Sequence, residues 1–215
     1  MTEAHTTTRI YVARALRDFG DGFVALLLPV YLAARGFDAF EIGLVATLAL
    51  LGSALTTLAI GVIGARFAQR TLLIAASALM AATGIAFAAS NVTALIFLVA
   101  FVGTINPSAG SVSIFVPLEH ALLAHAGLDR ERTKTFARYS LIGALAAALG
   151  SLAAASPELL ARAGLTELAA LQLMFVFYAA LGIAGGAIYA RIPHDPPHTA
   201  STAPKPLTRS RAMLA

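Results

Sequence analysis

Residues 42–64, IGLVATLALLGSALTTLAIGVIG, form an apolar run without a charged side chain. In an α-helix this run extends about 35 Å, which is enough to cross the roughly 30 Å hydrocarbon core of a bilayer. Comparable runs recur along the chain and are bounded by charged residues, proline, glycine or asparagine. The sequence therefore predicts six transmembrane helices: Ala15–Ala34, Ile42–Gly64, Thr71–Ser90, Thr93–Leu118, Phe136–Ser156 and Leu168–Ala190.

The composition supports an all-α polytopic membrane protein. Of the 215 residues, 59% are hydrophobic and only 12% are charged. A soluble domain of this size would expose too much apolar surface to remain monomeric. The absence of cysteine excludes disulfides and thiol chemistry. The net charge of +4 comes from basic residues spaced between apolar runs, not gathered on one face, so we expect no nucleic-acid partner.

The positions of the basic residues predict the orientation of the chain. Of the 15 lysines and arginines, only Arg35 and Arg162 fall on one side of the six predicted spans. Short cytoplasmic loops carry the excess of basic residues, so both termini are expected in the cytoplasm. Arginine greatly outnumbers lysine and alanine is abundant, which is typical of a GC-rich bacterial genome. We therefore expect a multi-pass protein of a bacterial inner membrane.

The chain divides into three predicted segments. Residues 1–14 form a cytoplasmic amino terminus, and residues 15–191 form the transmembrane bundle. Residues 192–215 are rich in proline, serine and threonine, which is typical of an extended, solvated linker. The sequence ends in an apolar stretch, so we expect that the linker is cut short before a seventh helix.

The two groups of three spans resemble each other, as in transporters built from inverted repeats. The first and fourth spans carry Pro29 and Pro117 in similar apolar surroundings. The second and fifth carry Gly52-Ser53 and Gly150-Ser151. The similarity contains gaps of two or three residues, and chance matches among alanine, leucine and glycine are the alternative explanation.

The loop between the second and third spans carries the most specific motif. Its sequence, GVIGARFAQR over residues 61–70, resembles the loop of the major facilitator superfamily, in which a glycine precedes an aspartate-arginine pair and further basic residues. Gly61, Arg66 and Arg70 fit that pattern, whereas Ala65 stands at the aspartate position. The helix 4 arginine of proton-coupled members and the Gly-Pro-Gly-Gly element of drug antiporters have no counterparts here.

This resemblance implies that the chain is the amino-terminal six-helix half of a superfamily transporter, a 3+3 inverted-repeat bundle. It implies a secondary active transporter that moves a small solute by alternating access, with a second six-helix half as partner beside the lipid bilayer. Gly61, Arg66 and Arg70 would belong to a cytoplasmic gate loop. Alternatively, Arg66 and Arg70 are topology anchors that face lipid phosphates.

Charged residues near the start of the first span are candidate functional groups. The purely apolar part of that span is too short to cross alone, so Arg17, Asp18 and Asp21 enter the membrane. Because a charge inside a bilayer is costly, an intramembrane carboxylate is a functional hypothesis by default. The spacing predicts the ion pairs Arg14–Asp18 and Arg17–Asp21. We expect Asp21 to bind a proton or cation, or to pair across a cavity; local pairing in a wet turn is the alternative.

Polar residues in the middle of the fourth span form a second candidate site. Pro107 removes a backbone hydrogen bond and kinks or breaks the helix, and backbone groups freed at that depth must face protein or a watery cavity. Purely structural roles are the alternative. Glu119 and His120 are interpreted as the cytoplasmic edge of this span, with a functional site as the alternative. The expected cavity residues here are Asn106, Pro107, Ser108, Ser111 and Ser113.

Two other classes of function are alternatives to transport. A six-helix interaction or assembly subunit would not need its intramembrane aspartates. An intramembrane enzyme needs a nucleophile and a histidine at matching depth, but the five histidines lie at or outside the span ends. We expect no catalytic residue, no cofactor and no metal site.

Overall fold

The structure, a computed structural model, describes residues 2–105, 113–125 and 132–193, and these residues contain helices but no strand. A single 3-10 turn, Gly64–Arg66, follows the second helix. The helices are α1 (Thr2–Ala34), α2 (Ala39–Ile63), α3 (Gln69–Ala89), α4 (Thr93–Val102), α5 (Phe115–His125), α6 (Arg132–Ala153), α7 (Ser156–Arg162) and α8 (Glu167–Tyr189).

The helix boundaries follow local capping chemistry. Asp38 caps α2 by accepting a hydrogen bond from the backbone N–H of Glu41, whose side chain accepts one from the Asp38 backbone in return. Thr166 caps α8 through a single hydrogen bond, which its hydroxyl accepts from the backbone N–H of Ala169. Gly36 and Gly164 adopt positive φ values of 85° and 107°, which a residue with a Cβ rarely adopts.

Among the described residues, four helical stretches are long and apolar enough to cross a membrane: Ala39–Val62, Gln69–Ala89, Thr133–Arg162 (α6 with α7) and Glu167–Tyr189. The remaining predicted spans are the first, which carries charges, and the fourth, which is interrupted. The first is α1, whose 33 residues extend about 50 Å. The first span and α5, which extends beyond the expected end of the fourth span, carry the buried charged side chains described below.

The structure changes the expected bounds of two spans, the first and the fourth. Residues 2–14 are helical and continue into the first span, and Ile10 and Ala13 are buried against α3 and α5. The expected fourth span is not one continuous helix: α4 stops at Val102, where Gly103 is extended, and α5 runs past Leu118 to His125. The short helix α7 was not anticipated. Residues 194–215 of the expected linker lie outside the described part.

Short loops predict that consecutive helices are antiparallel neighbours, but α1 touches α2 over only a small area. Its extensive contacts are with α6 and α8, while α2 packs on α4 and α3 packs on α8. Exchanging spans 1, 2 and 3 with spans 4, 5 and 6 maps the α1–α6, α2–α4 and α3–α8 contacts onto one another. Under the exchange the α1–α6 contact corresponds to the α4–α2 contact, and the α3–α8 contact corresponds to itself. The contacts therefore follow the expected 3+3 arrangement.

Equivalent glycines make the close helix contacts in both halves. A Cβ on Gly52 of α2 would lie 1.7 Å from the backbone oxygen of Phe101 on α4. A Cβ on Gly150 of α6 would lie 2.0 Å from the backbone oxygen of Phe19 on α1. Because Gly52-Ser53 and Gly150-Ser151 are the pairs matched between the two halves, their similarity has a common packing cause.

The core consists of two hydrophobic clusters along the bundle. One surrounds Phe23, Tyr31 and Phe175, and the other surrounds Ile10, Phe115 and Tyr189. The segment of α1 between the two clusters carries Arg14, Arg17, Asp18 and Asp21. These four polar side chains are therefore held inside the bundle.

Candidate functional site

Glu119 of α5 lies at the centre of a buried polar cluster and is fully buried. Its carboxylate accepts a hydrogen bond from Arg17 Nη1 at 2.9 Å. It also accepts hydrogen bonds from the hydroxyl of Tyr139 at 2.6 Å and from the hydroxyl of Tyr189 at 2.5 Å. One carboxylate thus joins α1, α5, α6 and α8. The interpretation of Glu119 as an edge residue was wrong, because α5 turns its side chain into the bundle.

Two arginines of α1 complete this cluster. Arg14 Nε lies 2.6 Å from Asp18 Oδ2, and Arg14 Nη1 donates to the Tyr139 hydroxyl at 2.8 Å. Arg17 also contacts Asp18, with Nη2 3.2 Å from Oδ1. The guanidinium groups stack on aromatic rings: that of Arg14 on Tyr139 and that of Arg17 on Phe115. We call Arg14, Arg17, Asp18, Glu119, Tyr139 and Tyr189 the charge cluster.

The two ion pairs expected along α1 have different outcomes. The structure contains the Arg14–Asp18 pair. Arg17, however, is directed to Asp18 and Glu119, and the described residues contain no ion pair between Arg17 and Asp21. The spacing along α1 permits both pairs, but Glu119 offers Arg17 a carboxylate from another helix, and two tyrosine hydroxyls donate to that carboxylate.

Asp21 lies one turn deeper along α1 and has a different kind of partner. Its Oδ1 accepts a hydrogen bond from the Tyr178 hydroxyl of α8 at 3.1 Å. The Tyr178 hydroxyl also lies 3.4 Å from the hydroxyl of Thr104, which follows the end of α4. Only 3% of Asp21 is exposed. We call Asp21, Tyr178 and Thr104 the Asp21 site.

The charges of this region balance without Asp21. In the charge cluster, Arg14 and Arg17 are matched by Asp18 and Glu119. An ionised Asp21 would therefore carry an additional negative charge in a buried position, with one tyrosine hydroxyl as its described hydrogen-bond donor. Burying such a charge is costly unless it is neutralised, so the geometry favours a proton or a cation at this carboxyl.

The structure describes one of the five candidate cavity residues of the fourth span. Asn106, Pro107, Ser108 and Ser111 lie outside the described residues. Ser113 is buried, and its hydroxyl accepts a weak hydrogen bond from the backbone N–H of Phe115 at 3.4 Å. In this position Ser113 caps the start of α5, while Thr104 on the other side of the break belongs to the Asp21 site.

The loop of residues 61–70 lies at the end of the bundle where α8 ends. Arg70 Nη2 donates to the backbone oxygen of Ala190 at 2.6 Å, and Arg9 donates to the backbone oxygen of Arg191. Both guanidinium groups satisfy carbonyls at the carboxyl end of α8, where cations interact favourably with the helix dipole. Arg66 ends the 3-10 turn and is exposed, and a Cβ on Gly61 would meet no neighbouring atom.

Comparisons with known proteins identify the family. A model described as Major Facilitator Superfamily matches residues 10–214, which is almost the whole chain. The chain belongs to the major facilitator superfamily. Its expected family and fold class, a helical half-bundle of this superfamily, are therefore confirmed. Members of the superfamily are membrane transporters.

One curated relative of this superfamily chain is described as an uncharacterized membrane protein of Saccharomyces cerevisiae. It is 29% identical over 167 residues, which are 76% of this chain and 37% of the relative. The chain thus spans well under half the length of that relative. Both comparisons place the superfamily chain in a membrane, as a multi-pass protein.

Sequence reasoning missed several residues of the site in this superfamily chain. Tyr178 and Tyr189 were not singled out. A signal existed, because a buried tyrosine in an apolar helix needs a partner for its hydroxyl. The sequence does not indicate that Tyr139 and Tyr189 share Glu119, since that meeting requires α5, α6 and α8 to converge.

Proposed function

We propose that this chain is one half of a secondary active transporter that moves a small solute by alternating access, and that Asp21 is its proton or cation site. The observation that carries this proposal is a buried carboxyl outside the balanced charges of the charge cluster. A group of this kind can gain and lose a proton or cation as its surroundings open and close. Intramembrane carboxylates with this property mark ion pathways.

The burial of Asp21 decides what it can bind. A residue that lines a cavity between two bundles is exposed when one bundle is seen alone, whereas Asp21 is 3% exposed. It is also enclosed by α8, because Tyr178 is fully buried and packs against Phe23 of α1. A proton or small cation fits this position, but a larger solute does not. We therefore assign coupling to Asp21 and solute contact to other residues.

The Asp21 site offers a route from the carboxyl to the interrupted fourth span. Tyr178 links Asp21 to Thr104, and Thr104 follows the point where α4 ends. A change in the charge of Asp21 alters the hydrogen bond that its partner Tyr178 shares with Thr104. We propose that this linkage transmits the state of Asp21 to the break in the fourth span, where the expected cavity residues lie.

The remaining features fit the same proposal. Large parts of the apolar helices α2 and α6 are exposed, which leaves room for a second six-helix half as well as lipid. The loop with Gly61, Arg66 and Arg70 would contribute to the gate. Arg70 stabilises the carboxyl end of α8, immediately before the linker. Both termini would lie in the cytoplasm of a bacterial cell, as the distribution of basic residues predicts.

Asp21→Asn tests the proposed coupling. We expect vesicles in which the wild-type chain is reconstituted together with the second six-helix half to accumulate one or more solutes from a defined mixture of sugars, amino acids and organic cations. A pH or sodium gradient would drive this uptake, and mass spectrometry would measure it. In Asp21→Asn the gradient-driven part of the uptake should fall by about 5- to 150-fold. This range corresponds to typical coupling free energies of about 1–3 kcal/mol.

Glu158→Gln is the matched control, since it removes an exposed carboxylate that is paired with Arg162. Its uptake should equal that of the wild type. Undiminished gradient-driven uptake by Asp21→Asn would show that Asp21 is not the coupling site. If the wild type took up no solute under either gradient, the transport function itself would be contradicted, and the assembly role would gain support.

A further inference from the structure

An apolar groove of about 400 Å³ lies between α3 and α8, at the end of the bundle where α8 begins. Leu165 of the α7–α8 turn closes its outer end. Three alanines leave space that larger side chains would fill. The residues that form this groove, which we call the α3–α8 groove, include Ile85, Ala88, Ala89, Ala169, Gln172 and Val176.

Gln172 is the polar exception in this groove. Its side chain is half-buried, and within the described parts of the chain its amide makes no hydrogen bond. Both helices of the groove are long and apolar enough to cross a membrane. At membrane depth no water is present to satisfy such an amide, so it requires a partner from protein or lipid.

The position of Gln172 along α8 indicates the chemistry of that partner. The helix begins after the capping residue Thr166, and Gln172 follows it by about 9 Å. The exposed ion pair between Glu158 and Arg162 marks the water-facing side of this end. When α8 is centred on a hydrocarbon core about 30 Å thick, the Cα of Gln172 lies roughly 6 Å inside the core boundary. Long side chains of a helix point back toward its amino terminus, so the Gln172 amide can reach toward the ester groups of membrane lipids at that boundary.

We propose that the α3–α8 groove binds one ester-linked acyl chain of a membrane lipid, with the Gln172 amide donating a hydrogen bond to the ester carbonyl. The acyl chain lies along Ala169 and Val176 of α8 and Ile85 of α3. The lining contains no charged side chain, so the groove recognises the ester and the chain and not the charge of a headgroup. A helix is too wide for a groove of this volume.

A tryptophan reporter can test this site, because the chain contains no tryptophan. Leu173→Trp places the reporter in the groove, where Leu173 is 45% exposed. Leu149→Trp on α6 is the matched control, since Leu149 is 59% exposed and lies near the same end of the bundle. The chain is reconstituted in vesicles of phosphatidylcholine with brominated acyl chains, which quench tryptophan fluorescence on contact.

The measurement is the recovery of fluorescence as unbrominated phosphatidylcholine is added, either with ester-linked or with ether-linked chains. At Leu173→Trp the ester lipid should displace the quencher about five-fold more effectively than the ether lipid, which corresponds to about 1 kcal/mol and one hydrogen bond. Adding Gln172→Leu should reduce that ratio to one. At Leu149→Trp the two lipids should compete equally.

Three results would overturn the proposal. An equal effect of the two lipids at Leu173→Trp would show that the ester is not recognised. A ratio that persists in Gln172→Leu would assign recognition to another group. Absence of quenching at Leu173→Trp, with normal quenching at Leu149→Trp, would show that protein covers the groove.

Discussion

Glu119→Leu is expected to destabilise the bundle strongly. The substitution leaves the buried Arg17 with Asp18 alone, and removes the acceptor of Tyr139 and Tyr189. Breaking a buried ion pair from one side typically costs about 3–5 kcal/mol. Thermal unfolding in detergent, followed by circular dichroism, should therefore show a large loss of stability.

Removing both partners distinguishes the cost of leaving a buried charge unpaired from the cost of losing the contact itself. The double variant Arg17→Met with Glu119→Leu replaces the pair by apolar side chains, and it should be clearly more stable than Glu119→Leu alone. The exposed pair of Glu158 and Arg162 provides the control, with both side chains about 70% exposed. Glu158→Leu should change the stability by less than about 1 kcal/mol. Equal effects of Glu119→Leu and Glu158→Leu would contradict the structural role of the charge cluster.

Gly52→Ala and Gly150→Ala are expected to destabilise the chain to a similar extent. Each added Cβ would meet a backbone oxygen, that of Phe101 or that of Phe19, at 1.7 or 2.0 Å. Backbone cannot rotate away as a side chain can, so the two helices must separate. Overpacking of this kind costs about 1–3 kcal/mol and sometimes more. The same unfolding measurement applies, and the equal size of the two effects tests the relation between the two halves.

Gly43→Ala is the control for the two contact glycines. Gly43 lies in α2, and a Cβ there would have no atom within 4 Å. Because alanine favours the helix over glycine by about 1 kcal/mol, this variant should be neutral or more stable. A stabilising effect of alanine at position 52 or 150 would show that these helices do not approach as closely as described.

The sequence predicts the helices better than the contacts between them. α2, α3, α6 and α8 begin and end within a few residues of the expected spans, because each is one long apolar run with polar or glycine boundaries. For the fourth span the sequence left a kinked helix and a broken helix open. The run contains Gly103 and Pro107, and hydropathy alone does not distinguish a kink from a break.

The candidate site was only partly accessible to sequence reasoning. Asp18 and Asp21 stand out because charges are rare in an apolar chain, and the Arg14–Asp18 pair follows from helical spacing. The partner of Arg17 does not follow, because Glu119 lies far along the chain and reaches Arg17 only when α5 packs beside α1. The roles proposed for Asp21 and for the loop of residues 61–70 remain predictions for experiment.

The amino-acid sequence by itself determined that this chain is a helical membrane protein with several spans, since hydrophobic length and local capping are properties of neighbouring residues. Only the tertiary structure decided which carboxylates are paired and which is left over. Pairing inside a bundle depends on helices that meet across long stretches of chain. For that reason Glu119 joined the arginines, and Asp21 was left with a tyrosine.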